Sequence, residues 1–460
     1  MMLVIRFAAL VGFGAPQQAL AQTADSQPVA FVNVHVVPMD REGVLEGQTV
    51  VIRAGRIVAV GPAARVSVPA GAVRIDGRGK YLMPGLAEMH AHLPNPNAPG
   101  ASPALTETVL FLYVANGVTV ARGMQGHPSQ LELRDRIAKG ELLGPRLWVG
   151  SPALSGNSAP TADSARRLVE QRKAAGYDLL KIHEGLSREV YDTIVASARR
   201  LGIPFGGHVP DPVGLSRALE ARQTSIDHLD NYIVALESDA SPIKNEAPEV
   251  RAQQLIYHVD EAKLPALVAA TRAAGTWMVP TLALWETFAG TESLDTLRAR
   301  PELRYVPVQW RDAWAQAVAT MRQNNPDAEA GKRVVALRQR ILKKLNDAGV
   351  GILLGTDSPQ LFSVPGFSVH RELKSMLAAG MTPDQILRSG TANVARYFGA
   401  ADDFGTVAVG RRADLLLLER NPLEDVGNVA RRAGVVVSGR WLPESEIQAR
   451  LARIAEGFAN

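Results

Sequence analysis

The sequence predicts an α/β fold: a TIM-type (β/α)8 barrel with a smaller β unit drawn from both chain ends. Three observations predict it. Short apolar stretches alternate with Ala/Arg/Leu-rich segments of helix-like spacing, the pattern of a parallel sheet with crossover helices. Several of those stretches end on a histidine, lysine or aspartate, and a barrel brings all its strand ends to one mouth. At 460 residues the chain exceeds the ~250 typical of one barrel, leaving material for a second unit.

Taken in order, residues 1–21 read as a signal peptide. Arg6 precedes the apolar stretch Phe7–Ala15, and Ala19-Leu20-Ala21 before Gln22 fits a small-x-small cleavage site. The stretch is too short to span a bilayer. With no cysteine, a lipid-modified cysteine anchor and a disulfide framework are both excluded. The expectation is a soluble exported protein, most simply periplasmic, without a membrane anchor. Residues 28–80 form short β-rich runs, Ala30–Val37, Gln48–Arg53 and Gly55–Pro62, separated by Gly and Pro turns. Residues 81–400 are assigned to the barrel. Its strands are expected near Leu86–His92, Val118–Arg122, Arg146–Gly150, Leu179–His183, Ile203–His208, Thr224–His228, Thr276–Thr281 and Val350–Asp357. The last comes late because residues 285–346 make a long excursion, a candidate lid or substrate wall. Within it Asn324-Asn325-Pro326-Asp327 reads as a turn or cap and Arg333–Leu345 as a helix. Residues 401–445, through Gly405–Leu418 and Ala433–Arg440, return to the β-rich character of the N-terminal part.

The chemistry begins at Met83-Pro84-Gly85-Leu86-Ala87-Glu88-Met89-His90-Ala91-His92. Side chains alternate across a strand, so His90 and His92 project together and suit a divalent transition metal. Taken alone, the pair reads equally well as two buried, hydrogen-bonded histidines. Four later positions change that balance. Lys181 sits in the apolar run Tyr177–His183, while His208, His228 and Asp357 each end an apolar stretch. An isolated Lys181 would be a snorkelling or salt-bridged lysine; between paired histidines it reads as part of a site. Nucleic-acid binding is not expected. The net charge is +4, 50 basic residues face 46 acidic ones, and the arginine pairs are scattered over helix-like segments.

In order and context these six residues resemble the amidohydrolase superfamily, in its binuclear-metal branch with a bridging carbamylated lysine. The imidazolonepropionase-like members are nearest in flavour, including Xaa-dipeptidases and ochratoxin-type amidases. Pro84-Gly85-Leu86, Gly206-Gly207-His208, Asp227-His228-Leu229 and Gly355-Thr356-Asp357 carry the likeness. It implies two divalent metal ions, zinc by default. One would lie on His90, His92, carbamylated Lys181 and Asp357, the other on the same carbamate, His208 and His228. Burial favours the neutral amine that CO2 must meet. A metal-bridged hydroxide would attack a polarised carbonyl, with Asp357 as general base and then acid. The resemblance also implies that the two chain ends pair into a β-sandwich. Tyr232, four residues after His228, matches a tyrosine that related dipeptidases use at the substrate carbonyl, as an oxyanion donor. His127 is a second candidate for substrate contact, and Arg122 a bidentate carboxylate clamp; structural readings of both stand level. His183 shares a strand face with Lys181, whereas His35, His258 and His370 read as structural. The expected reaction is hydrolysis of an amide in a small substrate such as a dipeptide or N-acyl amino acid. The alternatives are a hydrolase of cyclic amides or lactones, or a silent binding relative, which lost ligands would mark. A mononuclear deaminase would not need Lys181. The expected partner is a small-molecule substrate, and homo-oligomerisation stays open.

Overall fold

The computed structural model describes residues 27–97, 100–290 and 292–459; the expected signal peptide, 1–21, lies outside them. The two chain ends meet in one mixed sheet of eight strands. Val29–Val36 is its hub. It pairs antiparallel with Leu45–Arg53, parallel with Val73–Asp76 through its first half, and parallel with Tyr81–Pro84 through its second. Tyr81–Pro84 then pairs antiparallel with Leu415–Leu418, in register from Leu415 opposite Pro84 to Leu418 opposite Tyr81. Arg432–Val437 and Arg440–Pro443 extend the sheet beyond it, and the helix Glu444–Gly457, which the sequence reading had not marked, follows. The hydrogen bonding links all eight strands in a single mixed sheet.

The larger unit is TIM-barrel-like. Leu86–Ala91, Val118–Gly123 and Arg146–Val149 form one parallel ladder. Leu180–Ile182, Phe205–Gly207, Ser225–Asp227 and Trp277–Val279 form another. Single parallel bridges, Gly150 to Leu179, Met278 to Ile352 and Ala91 to Ser358, join their edges and the segment after residue 350. That segment was expected as a regular strand over Val350–Asp357, and the structure corrects this. Leu354 N–H donates to the Ser389 carbonyl, and Thr356 N–H to the Glu88 carboxylate. The backbone groups of an extended chain are satisfied without a continuous ladder, partly by these partners and partly by single bridges to the neighbouring strands. Leu353 N–H donates to the Met278 carbonyl, and Met89 N–H to the Leu354 carbonyl.

Between strands the helices begin and end on local signals. Arg188–Leu201 starts at Ser187, whose hydroxyl accepts from Val190 N–H, and stops at Gly202 in the left-handed region. Val190, Tyr191, Ile194, Val195 and Ala198 are buried along it, the spacing of one helix face. The excursion after the seventh strand is helical: Leu282–Ala289, Leu294–Arg298, Val308–Asn324 and Ala328–Asp347. Asp327 caps the last of these, accepting from Glu329 and Ala330 N–H. Among the described residues, no helix is long and apolar enough to cross a membrane.

Candidate metal centre

His90, His92, Lys181, His208, His228 and Asp357 line one cleft, with Gln125, His183, Asp230, Leu284, Trp285, Phe288 and Gln360. All six come from the ends of strands or extended segments, so residues 267 positions apart in the chain become neighbours (357 − 90). His92 Nε2 lies 2.6 Å and His90 Nε2 3.4 Å from Asp357 Oδ1, and His228 Nε2 is 3.5 Å from Asp357 Oδ2. Lys181 Nζ is 3.4 Å from His90 Nε2. The rings of His208 and His228 stack at 4.8 Å, and His183 packs against His208 at 4.6 Å. One atom each from His90, His228 and Asp357 forms a tight group; Glu184, His208 and Asp230 form a second.

The residues fit a metal by a direct observation. Asp357 Oδ1 is buried and makes no hydrogen bond, although two imidazole nitrogens crowd it. Lone-pair atoms converging without a directed hydrogen bond are what a cation resolves. Burial disfavours charge on Asp357, but facing His90 and His92 hold its carboxyl well below the usual carboxylate range. Burial also pulls the Lys181 amine down, against the attraction of Asp227 and Asp357.

Each group is held by partners of its own. Glu88 Oε1 accepts from the backbone N–H groups of His90 and Thr356, and Oε2 accepts from the Thr356 hydroxyl. One buried carboxylate thus ties the first strand to the segment bearing Asp357. Asp227 Oδ2 lies 3.0 Å from His90 Nδ1, out of line for a directed hydrogen bond, and 3.7 Å from Lys181 Nζ. A carboxylate at Nδ1 favours the tautomer that leaves Nε2 free to ligate. His208 Nδ1 pairs with Asp230 at 2.8 Å, and His228 Nδ1 with the Thr281 hydroxyl at 2.8 Å. Beside Lys181 only glycine serves at position 207: φ is +124°, and a Cβ there would stand 2.5 Å from the Ile182 carbonyl oxygen and 2.9 Å from Lys181 Cδ. His228, Leu229, Asn231, Thr281 and Asp357 also have positive φ, a cluster of strained backbone of the kind found at functional sites.

Three expected substrate contacts are placed elsewhere. Arg122 is fully buried. It donates to the Met89 carbonyl, the Ser225 and Tyr397 hydroxyls and Asp227, at 2.7–3.1 Å. Its donors are committed within the protein, to strand residues and to Tyr397 at the end of the helix Ala392–Tyr397, and it does not line the cleft. Tyr232 is likewise buried, its hydroxyl 2.5 Å from that of Thr271, and it does not line the cleft. His127 caps the helix Pro128–Ala138, its Nδ1 accepting from Ser129 N–H; Gln125 reaches the cleft instead. Conversely, Asp227 and Asp230 were missed as partners of the histidines. The available signal was their position, flanking a strand-end histidine in Asp227-His228-Leu229-Asp230.

Comparison with known proteins agrees with this geometry. The chain is 25% identical over 418 residues to adenine deaminase of Rubrobacter xylanophilus, 88% of this chain but 56% of that protein. It is 40% identical to ochratoxinase of Aspergillus niger over 81 residues, 17% of this chain and 16% of the relative. The chain therefore spans about half, or far less, of the curated relatives it matches. Among solved structures, a Bifidobacterium longum protein assigned as a prolidase superposes with a TM-score of 0.68 at 25% identity, covering 94% of this chain and 99% of its own. Bottromycin amidohydrolase superposes at 0.71 and 24% identity, covering 98% and 95%, a likeness of fold. The profile described as amidohydrolase family matches residues 81–442, and the chain belongs to that family.

Proposed function

We propose that the protein is a metal-dependent hydrolase that cleaves the amide bond of a compact substrate such as a dipeptide or N-acyl amino acid. The carrying observation is the convergence of His90, His92, Lys181, His208, His228 and Asp357 in one cleft. When bound, a pair of divalent ions, zinc by default, would supply an acidified water and polarise the scissile carbonyl. His90, His92 and Asp357 would hold one ion and His208 and His228 the other, with Lys181 as a carbamate between them. The chain's own contribution is positioning and proton transfer. Asp357 takes the proton from the attacking water and returns it to the leaving amine nitrogen. Glu88, Asp227, Asp230 and Thr281 fix the groups around it. Arg122 and Tyr232, which do not line the cleft, are read as supporting the fold beneath it.

A likeness to a relative named adenine deaminase over 88% of this chain supports a second reading, release of ammonia from an amino-substituted ring. Both readings displace an amine, and the assay separates them. Metal-loaded protein is profiled against dipeptides, N-acyl amino acids, cyclic amides, lactones and adenine, with metal content measured in parallel. Amide cleavage lost on chelation is expected. Lys181→Ala should lose most metal at the second position and nearly all activity, with partial return on adding a short-chain carboxylate. Lactones turned over far faster than every amide, or full metal content in Lys181→Ala, would sink this assignment. We also read the chain-end sheet as a sandwich curled round Phe31, Val50, Ile57 and Leu415. Residues 1–21 we read as an export signal; the native protein should then begin at Gln22.

A further inference from the structure

Building on the amide-hydrolase reading, we infer that the cleft selects substrates carrying an aromatic side chain beside the scissile amide, and that Trp285 reads it. The cleft has two unlike sets of lining residues. One is the candidate metal centre with Gln125 and Gln360; the other is the apolar group Leu284, Trp285 and Phe288. These three lie on the helix Leu282–Ala289, where positions three and four apart share a face. The Trp285 and Phe288 rings stack with centroids 5.5 Å apart and planes at 28°.

The indole is held from behind. The Arg338 guanidinium carbon lies 3.4 Å from the Trp285 ring centroid. Arg338 is itself buried and donates to the carbonyl of His228. It thereby covers one indole face and ties the ring to the strand end that carries His228, while Trp285 still contributes to the lining of the cleft. A ring fixed in advance costs less to order when a ligand stacks on it. The Trp285 Nε1 is buried and has no hydrogen-bond partner, whereas a buried indole N–H ordinarily finds one.

Charge points the same way. Among the described residues, no arginine lines the cleft and its one lysine is Lys181, already used by the centre. Recognition by a cationic clamp therefore has no side chain on the cleft surface, while ring stacking has two. The volume, about 300 Å³, is at the lower end of the ~300–1,000 Å³ of small-molecule sites. It suits one ring beside the reacting amide rather than a long peptide.

The test uses full-length protein and two readouts. Metal-free wild type, Trp285→Leu and Trp285→Phe are titrated calorimetrically with N-acetylphenylalanine amide and N-acetylalanine amide. The metal-loaded forms are assayed on Ala-Ala, Phe-Ala and Ala-Phe. Wild type should prefer the aromatic ligand, and one aromatic dipeptide, by at least fivefold. Trp285→Leu should abolish that preference and Trp285→Phe retain most of it, with unchanged circular dichroism checking the fold. A smaller preference in wild type, or one that survives Trp285→Leu, overturns the inference. Cleavage of Ala-Ala without aromatic preference would overturn it and leave amide hydrolysis standing. Aromatic-selective binding with no amide cleaved would do the reverse. If Trp285→Leu misfolds, the wild-type preference and its retention in Trp285→Phe decide alone.

Discussion

Arg122 and Asp227 carry no relative exposure at all, and their ion pair at 3.1 Å adjoins the candidate metal ligands without lining the cleft. Burial opposes charge on Asp227, but Arg122 first and His90 second keep its carboxyl well below the usual range. The ionised carboxylate then faces His90 Nδ1 and Lys181 Nζ. Removing either partner strands a buried charge, which typically costs ~3–5 kcal/mol. Asp227→Asn and Arg122→Met should both lower the melting temperature markedly and reduce bound metal, read by calorimetry and elemental analysis. An Arg122→Met protein that melts like wild type, and only raises KM for substrates with a free carboxylate, would restore the clamp that the sequence suggested. Here the limit of sequence reading is physical. Every residue of Val118–Gly123 is buried, so neither composition nor alternation tells whether the arginine at a strand's end faces the mouth or the interior. His90, His92 and Asp357 were easier to mark because a polar ligand ending an apolar run has few structural uses. Tyr232 lies off the cleft lining for another reason. Positive φ at His228, Leu229 and Asn231 turns the chain, and spacing from His228 no longer predicts direction.

At the scale of elements, the strands were readable where ladders satisfy them and unreadable where side chains do. The segment after Val350 is extended because Met278, Ser389 and Glu88 take the N–H groups of Leu353, Leu354 and Thr356 in turn, and nothing local announces partners so distant in sequence. Glu88 therefore acts as a seam between two elements. Glu88→Gln keeps an acceptor for the His90 and Thr356 N–H groups and should shift the melting temperature little. Glu88→Ala leaves those donors buried and unpaired, a cost of ~1–3 kcal/mol, and should also loosen metal binding. Equal melting of the two variants would contradict the seam. A second element-scale prediction concerns the contact between the helices Pro103–Ala115 and Phe367–Ala378. His370 Nε2 donates to Asn116 Oδ1 at 3.1 Å, and burial pulls the imidazole down to about 4. The unfolded chain, with an ordinary histidine, binds the extra proton between about pH 6.5 and 4. This contribution to stability is therefore complete above pH 6.5 and is lost as pH falls through that window, at no more than ~1.4 kcal/mol per pH unit. His370→Gln should flatten the acid limb of the stability curve relative to wild type. Parallel curves in denaturant titrations from pH 7 to 4 would show that the group does not titrate with folding.

Across the whole molecule, the strand Leu415–Leu418 shows why the barrel-like unit and the chain-end sheet act as one body. All four leucines are buried, and strand alternation sends them two ways. Leu415 and Leu417 join Phe31, Val34, Val50 and Ile57 in the core of the β unit, while Leu416 and Leu418 join the main core with Leu86, Leu112 and Val118. Gly117 approaches so closely that a Cβ there would meet Leu416 at 2.9 Å. A run of four leucines announces burial on both faces, yet not which cores it separates; that depends on its pairing with Tyr81–Pro84, 334 positions earlier (415 − 81). The same pairing fixes the strand that leads, after Gly85, directly into Leu86–Ala91 and its histidines. Two cores sharing one strand should unfold together. Leu416→Ala removes a side chain with no exposure, expected to cost ~2–5 kcal/mol, and the loss should appear as one calorimetric transition moved to lower temperature. Chelation should move that same single transition further, because ions bound only by the folded state stabilise it as a whole. Two resolved transitions in Leu416→Ala, with only one sensitive to chelator, would mean that the chain-end sheet folds independently of the metal-bearing unit.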